Sequence, residues 1–117
     1  MAEVRLTPTA IAVNVEQVVT QGAGTAIVGA NTNLVAVLKN KKILFWVDSD
    51  HANTAMTIIA STWATEKGHG NLVWAIGNAV AEVLVVGDSA RFVNANGDLN
   101  ISWHADSAGF IKVFYLP

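Results

Sequence analysis

Apolar residues along this chain recur at every second position, in short runs, and a three-to-four spacing is nowhere sustained. A period of two is the mark of a strand, because successive side chains there point to opposite faces. The runs are Leu34–Leu38 (LVAVL), Lys42–Val47 (KILFWV), Ala55–Ala60 (AMTIIA), Leu72–Ile76 (LVWAI), Val80–Val86 (VAEVLVV), Leu99–Trp103 and Phe110–Leu116. Shorter and less regular stretches, Ala10–Val15 and Gln17–Thr20, also read as strands, and Ala26–Val28 as a short edge strand. Gly-Asn at 77–78, Gly-Asp at 87–88 and Asn-Gly at 96–97 punctuate the runs. Asn96-Gly97 is the best hairpin signal, since a type I′ turn needs positive φ at both central residues.

Two of these runs are apolar on both faces. Ile43, Phe45 and Val47 point one way and Leu44 and Trp46 the other; Val80–Val86 is interrupted only by Glu82. Such strands lie between two packed layers or at an interface. By contrast Leu99, Ile101 and Trp103 alternate with Asn100, Ser102 and His104, a strand with one wet face. About eight strands at short spacing predict an all-β, single-domain antiparallel β-sandwich of jelly-roll-like form. Residues 10–117 make that sandwich, and residues 1–9 an N-terminal arm, because Pro8 cannot donate to a ladder.

Composition adds a requirement for partners. The chain has 117 residues, of which 52% are hydrophobic and only 14% charged, against about 25% charged in an average soluble domain. Mean hydropathy is +0.41. A small domain has much surface for its volume, so a charge-poor sequence implies that part of this surface is covered in an assembly. No apolar run approaches the roughly 20 residues of a membrane helix. The N-terminus lacks the basic and apolar regions of a signal peptide, so secretion is not expected. Cysteine is absent, which excludes disulfides and thiolate zinc sites. The net charge of −2 and one small basic cluster, Lys39, Lys41 and Lys42, argue against nucleic-acid binding.

Candidate chemistry is sparse. Asp48-Ser49-Asp50-His51 begins like a calcium loop, but the ligand and glycine that should follow are replaced by His51-Ala52. These polar residues serve better as a turn at a hairpin tip. His51, His69 and His104 have no close pairing that would announce a metal site. No serine sits in a nucleophile elbow. The glycine-rich spots at 22–24 and 68–70 lack the rest of a phosphate or dinucleotide fingerprint. The expectation is therefore a non-enzyme with no cofactor and no metal. Trp46, Trp74 and Trp103 lie within runs and read as core. Trp63, in the polar loop STWATEKGHG, reads either as a partner anchor together with His69, because tryptophan is enriched at interface hot spots, or as a lid folded back over the end of the sandwich.

The order of features is itself informative: LTPTAIAVN, ANTN before a strand, KKILFWV, DSDHANTA into MTIIA, GHGNL, VVGDSARFVNANGDLNISW and a final GFIKVFYLP. From Leu6 to Pro117 this resembles small bacteriophage head decoration or capsid-stabilising virion proteins. The resemblance implies a β-sandwich bound to the outside of a shell of major capsid protein as a symmetric homo-oligomer, a trimer before other states, with no catalytic residues. It places the protein in the virion. The competing readings are a carbohydrate-binding β-sandwich module, with Trp63 and Trp103 stacking on sugar rings, and a tail or baseplate component of the same particle.

Overall fold

The computed structural model describes residues 3–13, 15–19, 24–38, 41–61, 70–77, 81–86 and 91–117. Among these residues there are ten strands and no α-helix. They are β1 (Glu3–Arg5), β2 (Thr9–Ala10), β3 (Thr25–Ala26), β4 (Thr32–Ala36), β5 (Ile43–Ser49), β6 (Ala55–Ile58), β7 (Leu72–Ala75), β8 (Ala81–Val86), β9 (Asp98–Trp103) and β10 (Gly109–Tyr115). One sheet, here sheet A, runs β1-β4-β9-β6-β7. The other, sheet B, runs β2-β10-β5-β8, with β3 also on β10.

Setting β1 and β2 aside and counting β3 to β10 as first to eighth, sheet B has the order 1-8-3-6 and sheet A the order 2-7-4-5. All pairings among these eight are antiparallel. The chain passes from one sheet to the other at every connection except β6 to β7. That is the eight-stranded double Greek key of a jelly roll, the architecture expected from the strand spacing.

The core lies where alternation placed it. Phe45, Ile43 and Val47 of β5 meet Val35, Leu99, Ile101, Met56 and Ile58 of sheet A, and each is completely buried. Ile111, Val113 and Tyr115 of β10 and Trp103 of β9 complete it. Burying each large aliphatic side chain contributes roughly 1.5–3 kcal/mol. One polar pair sits inside: Trp103 Nε1–H donates to Asn33 Oδ1 at 2.6 Å, and Asn33 Nδ2 donates to the Val4 carbonyl at 3.1 Å. Glycine is required where the turn before β10 meets the end of β5. Gly109 has φ +126°, and a Cβ there would lie 2.0 Å from the Asp48 carbonyl oxygen.

The expected N-terminal arm, residues 1–9, is described from Glu3 onward, and from there it is built into both sheets. β1 pairs parallel with β4, and β2 parallel with β10. Between them Leu6 enters the core at 3% exposure, and its N–H donates to the Leu34 carbonyl at 2.9 Å. Pro8 falls in the gap between the two strands, where no ladder needs its missing N–H. The strands expected at Ala10–Val15 and Gln17–Thr20 do not form. Apart from Ala10, the described residues there are irregular; β2 and β3 take most of the free edge of β10 and leave only Lys112 and Val113 between them, too short a stretch for another strand. Asn96-Gly97 does turn the chain, with Gly97 at φ +82°. The turn leads from a single bridge, Val93 to Leu99, rather than from a full strand. Asn94 Oδ1 holds it by accepting from the Asn96 and Asp98 amides.

Candidate interaction surface

The outer faces of the two sheets differ in kind. On sheet A, Arg5, Thr32, Asn100, Ser102 and Thr57 point outward, with Leu34 and the 64% exposed Val73 as the large apolar residues among them. There Arg5 grips Asp98 with two parallel bonds of 2.9 and 2.8 Å. The Asp98 carboxyl is held below its usual range, chiefly by the hydrogen bond from Arg5, against the opposing effect of burial. The Tyr115 hydroxyl donates to the Ala36 carbonyl at 2.5 Å, and burial, together with the nearby Asp98 charge, pushes its pKa up.

Sheet B presents the reverse. Register fixes three rows across β8, β5 and β10: Ala81–Asp48–Phe110, Val83–Trp46–Lys112 and Val85–Leu44–Phe114. These nine side chains point away from the core, and seven are apolar, but Phe114 is covered at 3% exposure, so the open part of the face lies toward β5 and β8. Val83 is 58% exposed and Val85 46%; Leu44, Trp46 and Phe110 are half-buried. Trp46 therefore lies on the outer face, not in the core where the sequence placed it. Trp103 is core. Trp74 packs partly against the core and donates from Nε1 to Glu82 at 3.3 Å, which ties β7 to β8 across the open side of the sandwich. Strand β8 ends the sheet, and among the described residues no strand pairs with its free side.

A second apolar surface lies at the opposite edge. The chain leaves β2 with the Ile11 N–H bonded to the Tyr115 carbonyl at 2.9 Å. It returns at Gly24, packed on Ile111 and Lys112. In between, Val13, Val15 and Val18 are 62–67% exposed and Val19 is 37% exposed. Gln17 folds back to line a groove of about 210 Å³ with Leu6, Thr9 and Phe114.

The Asp48–His51 stretch spans the end of β5 and the start of the turn that follows it. β5 runs through Ser49, whose hydroxyl donates to the Gly77 carbonyl, so the tip proper is Asp50–Asn53. The His51 Nδ1 accepts the Asn53 amide at 3.0 Å, and the His104 Nδ1 accepts the Asp106 amide at 3.1 Å. Asn53 Nδ2 bonds Asp106 at 3.3 Å and joins the two loops. Among the described residues no three His, Asp or Glu side chains come together as a metal site. No helix among them is long and apolar enough to cross a membrane. Trp63 and His69, the expected partner anchors, lie outside the described residues. The sheet B face was partly legible in the sequence as two strands apolar on both sides; the exposed valines of residues 13–19 were missed, having been read as strands.

No protein-family model, no curated protein and no solved structure matches the chain.

Proposed function

We propose that this protein is a non-enzymatic structural component of a bacteriophage virion that decorates or stabilises the outside of the capsid as a homo-oligomer. The observation that carries the reading is the apolar outer face of sheet B. Its three rows carry charge only at Asp48 and Lys112, with Val83 58% and Val85 46% exposed, and clustered exposed apolar residues are the kind of surface through which proteins meet partners. The biological setting comes from the resemblance to head decoration proteins read in the order of sequence features. Weak contacts repeated over a shell reach high avidity without any single strong site.

The test is co-sedimentation of the purified protein with shells of the phage that encodes it, prepared without this protein. Saturable binding in a fixed ratio to the major capsid protein is expected. Protein that stays in the supernatant at every concentration refutes the proposal.

A further inference from the structure

Asn96-Gly97 is the chain's one asparagine–glycine pair, and the fold leaves it open to a reaction between its own atoms. Residues 95–97 are exposed. Gly97 has φ +82°, and nothing lies within 4 Å of where a Cβ would be. The Asn96 side-chain amide makes no hydrogen bond among the described residues. Its neighbour differs, since Asn94 Oδ1 is held by the Asn96 and Asp98 amides. Asn33, Asn53 and Asn71 are engaged as well, with Val4, Asp106 and Ala60. We propose that Asn96 is a site of spontaneous deamidation, with the Gly97 nitrogen as nucleophile, and that the product loosens the turn into β9.

The chemistry needs only water. The Gly97 nitrogen gives its proton to hydroxide and attacks Asn96 Cγ. The bond from Cγ to the side-chain nitrogen breaks, and that nitrogen takes a proton from water and leaves as ammonia. The product is a five-membered succinimide, which water then opens on either side. Attack at Cγ gives aspartate. Attack at the Asn96 backbone carbonyl gives isoaspartate, in which the chain runs through the side chain and is one methylene longer. Nucleophile and carbonyl belong to adjacent residues, so no second molecule has to be brought into place, and glycine puts no side chain in the way. One bond restrains the nucleophile: the Gly97 N–H donates to the Asn94 carbonyl at 3.1 Å. Exposed turn bonds of this kind open at little cost in free energy.

The consequence lies in what the turn supports. The Asn94 N–H donates to the Asp98 carbonyl at 2.8 Å, and the Val37 N–H to the Gly97 carbonyl at 3.0 Å. Asp98, 5% exposed, opens β9 and is gripped by Arg5 of β1. An extra methylene between residues 96 and 97 puts Gly97 and Asp98 out of register with Asn94. The new carboxylate also brings a negative charge close to Asp98 in the chain.

The experiment holds the folded protein in mildly alkaline buffer at body temperature and maps its peptides by mass spectrometry over time. Beside it run the synthetic peptide VNANGDL and the variants Gly97→Ala and Asn94→Ala. Asn96 should gain the mass of an amide turned to an acid ahead of every other asparagine. The folded chain should convert more slowly than the peptide, since the Gly97 N–H must first leave Asn94. Asn94→Ala, which frees the Asn96 and Asp98 amides, should convert several-fold faster than wild type, and Gly97→Ala several-fold slower. An Asn96 still intact once the peptide has fully converted would overturn the proposal, and so would a Gly97→Ala rate equal to that of wild type. Equal rates in Asn94→Ala and wild type would overturn the restraint assigned to the turn. Should either variant misfold, wild type against the peptide still decides. Heat unfolding reads the consequence. The isoaspartate fraction, separated by chromatography, should melt below wild type and below Asn96→Asp, which adds the charge without the methylene. A melting temperature equal to that of Asn96→Asp would overturn the loosened turn.

Discussion

The buried bond between Trp103 and Asn33 gives a demanding test of the packing. Trp103 is 7% exposed and Asn33 3%, and their contact is 2.6 Å. Asn33→Ala leaves the indole N–H without an acceptor in a site that water does not reach. A buried donor stranded in this way costs about 1–3 kcal/mol. The same change frees the Val4 carbonyl on edge strand β1, where solvent can partly replace the lost amide. The expected loss is about 2–3 kcal/mol, a large share of the roughly 5–15 kcal/mol that holds a domain together. Trp103→Phe removes the donor and also shrinks the core. In the double variant the bond is lost only once, so the two single effects should exceed the double by about 1–2 kcal/mol. Urea unfolding followed by far-ultraviolet circular dichroism reads all four proteins without relying on tryptophan emission. A loss below about 0.5 kcal/mol in Asn33→Ala, or single effects that simply add, would show that the bond does not hold the core as argued.

Two further outcomes follow from local geometry. Gly109→Ala places a methyl 2.0 Å from the Asp48 carbonyl oxygen at φ +126°, so β5 and β10 must part; it should cost more than the roughly 1–3 kcal/mol of backbone strain alone. Gly97→Ala, at φ +82° with open space around it, should cost only about 1 kcal/mol, and equal thermal shifts for the two would contradict this. The Asp98 carboxyl is held down by Arg5, so its stabilising contribution is complete above the unfolded-state value near 3.9 and is lost as pH falls through the lower folded-state value. Carbon-13 titration of Asp98 should move upward in Arg5→Gln, and an unchanged midpoint would refute the assignment.

Alternation located β5, β6, β7, β8, β9 and β10 to within about two residues because each is long enough to show a period and is paired on at least one side. It also identified β5 and β8 as apolar on both faces, the property that makes the outer face of sheet B unusual. It could not decide which face of β5 was inside, and Trp46 shows why. Trp46 and Phe45 are adjacent and both aromatic; alternation sends them to opposite sides, and only the packing of the two sheets decides which side is inside. Residues 10–20 show the other limit. AIAVNV and QVVT have strand composition, yet a strand exists only where an edge is free to receive it, and that is a property of the whole sheet. The arm was misjudged for a similar reason: Pro8 bars a ladder bond at one position and says nothing of the residues on either side.

The parallel pairing of β1 and β2 has a consequence for synthesis. Thr9 lies beside Phe114 and Arg5 beside Asp98, so β1 and β2 bind segments that leave the ribosome about a hundred residues after them. Until β10 emerges, Leu6 has no closed core to enter and β2 has no edge to join. The sandwich therefore cannot mature progressively from its N-terminal side. Its closing step joins distant parts of the chain, the kind of step that makes folding slow, and during that wait the apolar strands of a nascent copy stand open to its neighbours on the same message.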